Sequence, residues 1–373
     1  VKHIMRWERM SSFRVMDLVK KAGRYDDVVH FEVGQPDLPP PPGVEKALGK
    51  AVERRLFSYT ESMGLGILRE KIAGHYRRVY GVDVDPSRIL VTPGTSIAFM
   101  VAYQLLLDAG KRIAMPDPGY PCYKNFAHMV DAEPVFLPVG PETGYRLSTG
   151  ILDEYDFDVL HVSSPSNPTG TVCSAGEMEV IVSYCRERKA GLVSDELYHG
   201  LVYEGRAVTA LEYTDDAIVI NGFSKYFCMP GMRIGWMIVP ERFVRPAEII
   251  AQNLYIAAPT LSQYAAVEAF DYDYLAGVRE TFRRRRDFLY GELNGIFGID
   301  AKPEGAFYLW CDISQYSRDA AAFSEKLLES VHIAVTPGID FGANGTGSHL
   351  RFAYTREIPH LAEGVERLRR FLG

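Results

Sequence analysis

The chain has 373 residues, 47% hydrophobic and 24% charged, which excludes a disordered tail or a small disulfide scaffold and, at roughly 150 residues per domain, points to two domains or three. Forty-one basic against 48 acidic side chains leave a net charge of −7, so neither nucleic acid nor a membrane surface is an expected partner. Cys122, Cys173, Cys185, Cys228 and Cys311 form no C-x-x-C pair, so no metal is expected and reduced thiols in a cytoplasmic protein are. No apolar run approaches the ~18–20 residues of a bilayer span. The start, Val1-Lys2-His3-Ile4-Met5-Arg6-Trp7-Glu8, lacks the apolar core of a signal peptide.

A first helix is predicted from about Ser11 to Ala22. Pro39-Pro40-Pro41-Pro42, after Gly34-Gln35-Pro36-Asp37, reads as a stiff extended linker to a helix starting near Val44. Gly64 to Tyr80 is predicted helical because Leu65, Leu68, Ile72, Tyr76 and Tyr80 recur at helical spacing. Short apolar runs follow at Ile89 to Val91, Arg112 to Met115, Val159 to Val162, Leu192-Val193 and Ala217 to Ile220. Most lead through a turn into a helical stretch, which implies βαβ units and a mostly parallel, buried sheet. Ile234 to Val239 reads as one more strand, an exception to that alternation. Beyond about Ala258 long helices take over (Leu261 to Phe270, Leu275 to Phe297), with strands at Phe307 to Trp310 and Leu350 to Ala353. That change of texture predicts a second, smaller α+β domain, and Arg283 to Arg286 within the long helix read as a solvated face.

In an open parallel sheet, ligands bind beyond the carboxyl ends of the strands. Thr92-Pro93-Gly94-Thr95-Ser96 follows the first of these runs and opens a helix. Ser163-Ser164-Pro165-Ser166-Asn167-Pro168-Thr169-Gly170, Ser194-Asp195-Glu196-Leu197-Tyr198 and Asn221-Gly222-Phe223-Ser224-Lys225 follow later ones, with Arg233 shortly after. A helix N-terminus and Arg233 suit a phosphate. Lys225 beside Phe223 suits an amine that forms a Schiff base. Asp195 suits a pyridinium nitrogen, and Asn167 and Tyr198 suit a phenolic oxygen. The set matches pyridoxal phosphate. Singly, each residue has an ordinary reading: a surface lysine, a helix-capping aspartate, a plain Asn-Pro turn. It is their joint placement behind predicted strands that argues for a site.

Over essentially its whole length the chain resembles the class I/II aminotransferases of pyridoxal-phosphate fold type I, related to aspartate aminotransferase. Ser224-Lys225-Tyr226-Phe227-Cys228-Met229-Pro230-Gly231-Met232-Arg233-Ile234-Gly235 is close to that family's S-K-x-F-x-x-x-G-x-R-x-G signature. Ser166-Asn167-Pro168-Thr169-Gly170 is similar to its N-P-T-G, and Asp195-Glu196-Leu197-Tyr198 to its D-E-x-Y. The resemblance implies a large cofactor-binding domain, 44–258, with a mostly parallel sheet of the seven-stranded type between helices. It also implies a small α+β domain formed by 1–43 and 259–373.

By the same resemblance Lys225, Asp195 and Tyr198 are catalytic. Gly94, Thr95, Ser96, Tyr120, Asn167, Ser224 and Arg233 hold the cofactor, with Arg233 on its phosphate and Tyr120 stacked on its ring. Gly34, Asn167 and Arg351, the last in Leu350-Arg351-Phe352-Ala353-Tyr354, bind the substrate carboxylate. An arginine in an apolar strand needs an anionic partner, whether substrate or a structural carboxylate. Tyr59 is implied to reach the cofactor phosphate of a neighbouring subunit, hence a homodimer with shared active sites.

Two positions depart from relatives: Gly222 stands where some carry a phosphate-binding Ser or Thr, and Ser96 where some aspartate-preferring ones carry Lys. The latter weighs against a dicarboxylate preference. The expected reaction moves an amino group between an L-amino acid and a 2-oxo acid, with Lys225 as general base and acid. The alternatives are a β-elimination C–S lyase or a synthase of the same fold. A regulator carrying this fold as an effector domain is not expected, since only about 30 residues precede Val33, fewer than a winged helix-turn-helix requires. Phe307 is left open between covering the pocket and filling the small domain, and the segment Met5 to Phe13 is a candidate to close over the site.

Overall fold

The apolar runs fold as strands whose successive side chains enter two different cores. In a computed structural model that describes residues 6–12 and 14–373, the strands are β1 (Val29–His30), β2 (Ile89–Thr92), β3 (Arg112–Asp117), β4 (Glu133–Pro138), β5 (Val159–Ser163), β6 (Gly191–Asp195), β7 (Ile218–Gly222), β8 (Gly235–Ile238), β9 (Tyr308–Asp312), β10 (Ile333–Ala334), β11 (Thr336–Pro337) and β12 (His349–Ala353). The central sheet has the order β2-β8-β7-β6-β5-β3-β4. It is parallel except for β8, which runs antiparallel to both neighbours. Val91, Leu160 and Val219 point into a cluster with Ile72, Tyr76 and Met178. Their neighbours Leu90, Val159 and Ile218 point the opposite way, into a cluster with Phe99, Tyr103 and Ala251. Helices cover both faces, which is why these strands read as unbroken apolar runs.

The later elements build a separate core. Antiparallel β11-β12-β9 packs with the long helix Tyr272–Leu293 and the last helix, Ile358–Leu372, through Phe282, Leu289, Phe352, Leu361 and Leu368. Val29 and Phe31 join that core from the other end of the chain, because β1 pairs in parallel with β10.

Several expectations need correction. β4 was not anticipated: Glu133-Pro134-Val135-Phe136-Leu137-Pro138 holds two prolines, which an edge strand tolerates because one side of it needs no ladder. The first helix is described over Arg14–Ala22, with Ser11 and Ser12 not helical, and the predicted Leu261 to Phe270 helix is the shorter Thr260–Ala266. The Arg283 to Arg286 run is only half a solvated face, with Arg284 exposed and the last two arginines buried. Arg285 and Arg286 are 3% and 2% exposed, Arg285 donating at 2.6 and 3.0 Å to the two oxygens of Asp37. Arg286 donates to Glu204 and to the Pro303 carbonyl. Of the segment proposed to close over the site, Met5 and Phe13 lie outside the described residues. Among those described, no helix is long and apolar enough to cross a membrane.

Candidate active site

Strand register brings the singled-out residues to one edge. Asp195 pairs with Ser163 on one side and Ile220 on the other. Gly235 pairs with both Gly222 and Thr92. The loops after β2, β5, β6 and β7 therefore open on the same side. Arg233 lies there too, since the antiparallel β8 starts where its neighbours end. The resulting cavity, about 280 Å³, is lined by Gly34, Thr95, Ser96, Tyr120, Asn167, Asp195, Tyr198, Ser224, Lys225, Arg233 and Arg351.

At one end sits an anion cradle. The helix Thr95–Leu106 starts after Gly94 without a side-chain cap, so its first N–H groups are free to face a ligand. Arg233, itself left-handed at φ +50°, donates Nη1 to the Pro230 carbonyl at 3.1 Å. Gly94 has φ +76°, and a Cβ there would stand 2.6 Å from Arg233 Nη2, so only glycine lets the guanidinium reach the helix start. A Cβ on Gly222 would meet the Thr95 methyl at 2.9 Å; the departure noted in the sequence is a close approach of β7 to this helix.

The middle is built around Asp195. Its carboxylate accepts from the Tyr123 hydroxyl and from the Leu197 N–H at 3.0 Å. Burial pushes the carboxyl up to about 6, opposed by those hydrogen bonds and by the Lys225 charge. The Tyr123 ring rests on His161, centroids 3.9 Å apart, and packs edge-on to Tyr120 at 5.2 Å. The Tyr198 hydroxyl lies 2.8 Å from that of Tyr308. Burial holds the Tyr123 and Tyr198 phenols well above their ordinary range, so both stay protonated.

Lys225 Nζ donates to the Gly34 carbonyl at 2.6 Å. Its amine is lowered to about 8, first by burial and then by the Arg351 and Arg233 charges, against the pull of Asp195. Arg351, 3% exposed on β12, donates to Asn167 Oδ1 at 3.0 Å and to the Glu32 carbonyl at 2.7 Å. Its guanidinium lies over Tyr308 and Phe341 at 4.3 and 4.8 Å, and its buried Nε has no protein partner. No carboxylate side chain is among its hydrogen-bond partners, so this buried cation is left to an external anion.

Two of the singled-out residues do not line the cavity: Gly94, which sits behind Arg233 at the helix start, and Tyr59, which is 78% exposed. Phe307 is fully buried in the core of the C-terminal elements, with its ring 5.7 Å from Lys225 Nζ. Sequence reading missed Glu32, Phe99 and Tyr308 as lining residues, and also Val15, Met16 and Val19 of the first helix. Val15 and Val19 carried one signal, an i, i+4 apolar pair. Nothing local told which face of the helix looks into the site.

The comparisons agree with this geometry. The family model for aminotransferases of class I and II matches residues 26–368. A valine–pyruvate aminotransferase of Mycobacterium tuberculosis is 37% identical, over 95% of each chain. A (5-formylfuran-3-yl)methyl phosphate transaminase of Methanocaldococcus jannaschii is 36% identical, over 97% of each. The crystal structure of an aminotransferase from Mycobacterium tuberculosis superposes with a TM-score of 0.95 at 36% identity, covering 100% of this chain and 99% of that one. These relatives are named for amino-group transfer, which does not favour the lyase alternative. With the sheet order, the buried lysine and a match over nearly the whole chain, the protein belongs to the class I and II aminotransferases and is an enzyme that transfers an amino group between amino and oxo acids.

Proposed function

We propose that this aminotransferase works with pyridoxal 5′-phosphate in the cavity at the carboxyl edge of the central sheet. The donor set fits that group: an uncapped helix start with Thr95, Ser96 and Arg233 for a phosphate, a buried carboxylate at Asp195, and a buried amine at Lys225. The single observation that carries the reading is Lys225, a lysine in the cavity wall with its amine lowered to about 8 and pointed at the Gly34 carbonyl. Once bound, the cofactor supplies an electron sink for the negative charge that develops at the substrate Cα.

The residues divide the remaining work. Lys225 would hold the cofactor through its Nζ, and the same amine, in its neutral form, would take a proton from the substrate Cα. Asp195, held by Tyr123 and Leu197, places a negative charge for a ring nitrogen. Tyr198 and Asn167 would offer a hydroxyl and an amide to the ring oxygen, Tyr120 would cover the ring, and Ser224 would join the residues that hold the phosphate. Arg351 clamps the substrate carboxylate, with Asn167 and Gly34 beside it.

We further propose a large domain of 44–258 and a small domain of 1–43 with 259–373. The assembly we propose is a cytoplasmic homodimer in which Tyr59, exposed and outside its own cavity, completes the phosphate site of the neighbouring subunit. Five free cysteines accord with a reducing compartment. The test of the central claim is Lys225→Ala: transamination should vanish while the folded protein persists, and normal turnover in that variant would sink the assignment.

A further inference from the structure

The helix Arg14–Ala22 has two apolar faces with different duties. Leu18 and Ala22 pack with Val28, Leu328 and Ala334. Val15 and Val19, one turn apart, line the cavity together with Met16. The basic residues lining that cavity, among those described, are Lys225, Arg233 and Arg351. On the function proposed above, on which this inference rests, each is already engaged: with the cofactor, its phosphate and the substrate carboxylate. No cation of this chain's lining remains for a second carboxylate on the donor.

The helix is also held in an unusual way. Its Val15 N–H is a first-turn donor with no intrahelical acceptor, and the Asp340 carboxylate accepts it at 3.0 Å from across the fold. Asp340 is 6% exposed. The next residue, Phe341, is one of the two whose rings lie under the Arg351 guanidinium. One short segment thus braces both the substrate-carboxylate arginine and the helix that faces the rest of the substrate. A second tie, Ser11 N–H to Asn125 Oδ1 and Asn125 Nδ2 to the Ser11 carbonyl, each 3.1 Å, fastens the approach to the helix onto the large sheet's side.

We propose that the Val15–Met16–Val19 face is the specificity wall of the site, selecting donors with neutral apolar side chains, and that Asp340 is the positioning residue that holds this wall by capping the helix in trans.

The test compares leucine, methionine, glutamate and alanine as donors for the holoenzyme, in the wild type, Asp340→Ala and Asp340→Asn. Alongside it, calorimetry measures binding of the unreactive acids 4-methylvalerate and glutarate. Alanine is the reference because its side chain is a single methyl, with the least apolar surface to offer the wall. Leucine and methionine should exceed glutamate at least about tenfold in kcat/KM, the worth of roughly one methylene in a hydrophobic pocket. Asp340→Ala should lower the leucine-to-alanine ratio about tenfold, through KM more than kcat, and weaken 4-methylvalerate binding by a similar factor. Asp340→Asn should restore both, since its amide oxygen still accepts from Val15.

Glutamate ranking first, an unchanged ratio in Asp340→Ala, or Asn behaving like Ala would each overturn the proposal. Should Asp340→Ala not fold, Val19→Ala carries the same comparison, with the same loss expected. If no amino acid reacts even in the wild type, the transaminase reading fails; tighter binding of 4-methylvalerate than of glutarate would still support the wall, and the reverse would refute it.

Discussion

Lys225 and Asp195 occupy one cavity, yet burial moves their ionisation in opposite senses: each neutral form is favoured, as expected when a charge leaves water. Without cofactor, the Lys225 amine should lose its proton at about 8, so labelling by an amine-reactive probe should rise through that pH, well below the 10.5 of an ordinary lysine. The stability cost of its charge is full below pH 8 and is relieved as pH rises towards 10.5, because over that window the unfolded chain binds more protons. Asp195 behaves oppositely. With its carboxyl raised from 3.8 to about 6, its contribution is greatest below the unfolded value and is lost as pH climbs through 6, a change of about 3 kcal/mol. Asp195→Asn should flatten that part of the cofactor-free stability curve, measured by urea unfolding between pH 4 and 7. Arg351→Lys should raise KM for amino acids on the order of tenfold or more, since an ammonium cannot reproduce a two-pronged hold on a carboxylate; unchanged KM would remove Arg351 from the substrate site. All three residues were legible in the sequence, because each follows or sits within an apolar strand and is of a type that has little reason to be there.

At the scale of elements, the loop carrying Gly34 is fastened through Asp37 to Arg285 in the middle of the long helix. Both partners are largely shielded, so removing one leaves a buried charge unpaired, a loss of about 3–5 kcal/mol. Arg285→Ala should therefore lower the urea midpoint sharply, while Arg284→Ala, on the exposed side of the same helix, should change stability by no more than about 0.5 kcal/mol. Four successive arginines look alike as a string; the helical turn of 100° per residue sends two of them inward, and the carboxylates waiting there, Asp37 and Glu204, are more than 80 positions away in each case. The glycines of the anion cradle are similar. Gly94→Ala should weaken cofactor binding about tenfold or more, read from the absorbance lost on dilution, since the new methyl meets the Arg233 guanidinium and the backbone sits at positive φ. That this glycine begins a helix was visible in the chain; that an arginine just before β8 presses against it was not.

For the whole molecule, residues from both ends of the chain meet at the site. Arg351 on β12 donates to the carbonyl of Glu32, while Val15 is tied to Asp340. The 22-residue helix Tyr272–Leu293 links these parts to the central sheet through Arg286 and Glu204. The proposed homodimer belongs to this scale as well: light scattering should give twice the chain mass, and Tyr59→Phe should raise the cofactor dissociation constant about tenfold, the worth of one hydrogen bond to a charged group. A monomer with full cofactor affinity would argue against the shared site.

Local chemistry lies in the chain itself. The alternation of apolar runs with turns was enough for a mostly parallel sheet, and the resemblance carried by the Ser224 to Gly235 segment was enough for an aminotransferase, because strand period and motif are properties of neighbouring residues. Tertiary structure alone decided which helix face looks into the cavity, which arginines are buried and what holds the first helix in place. Those outcomes depend on contacts between residues up to 325 positions apart, and no periodicity along the chain encodes the partner that a folded neighbour will supply.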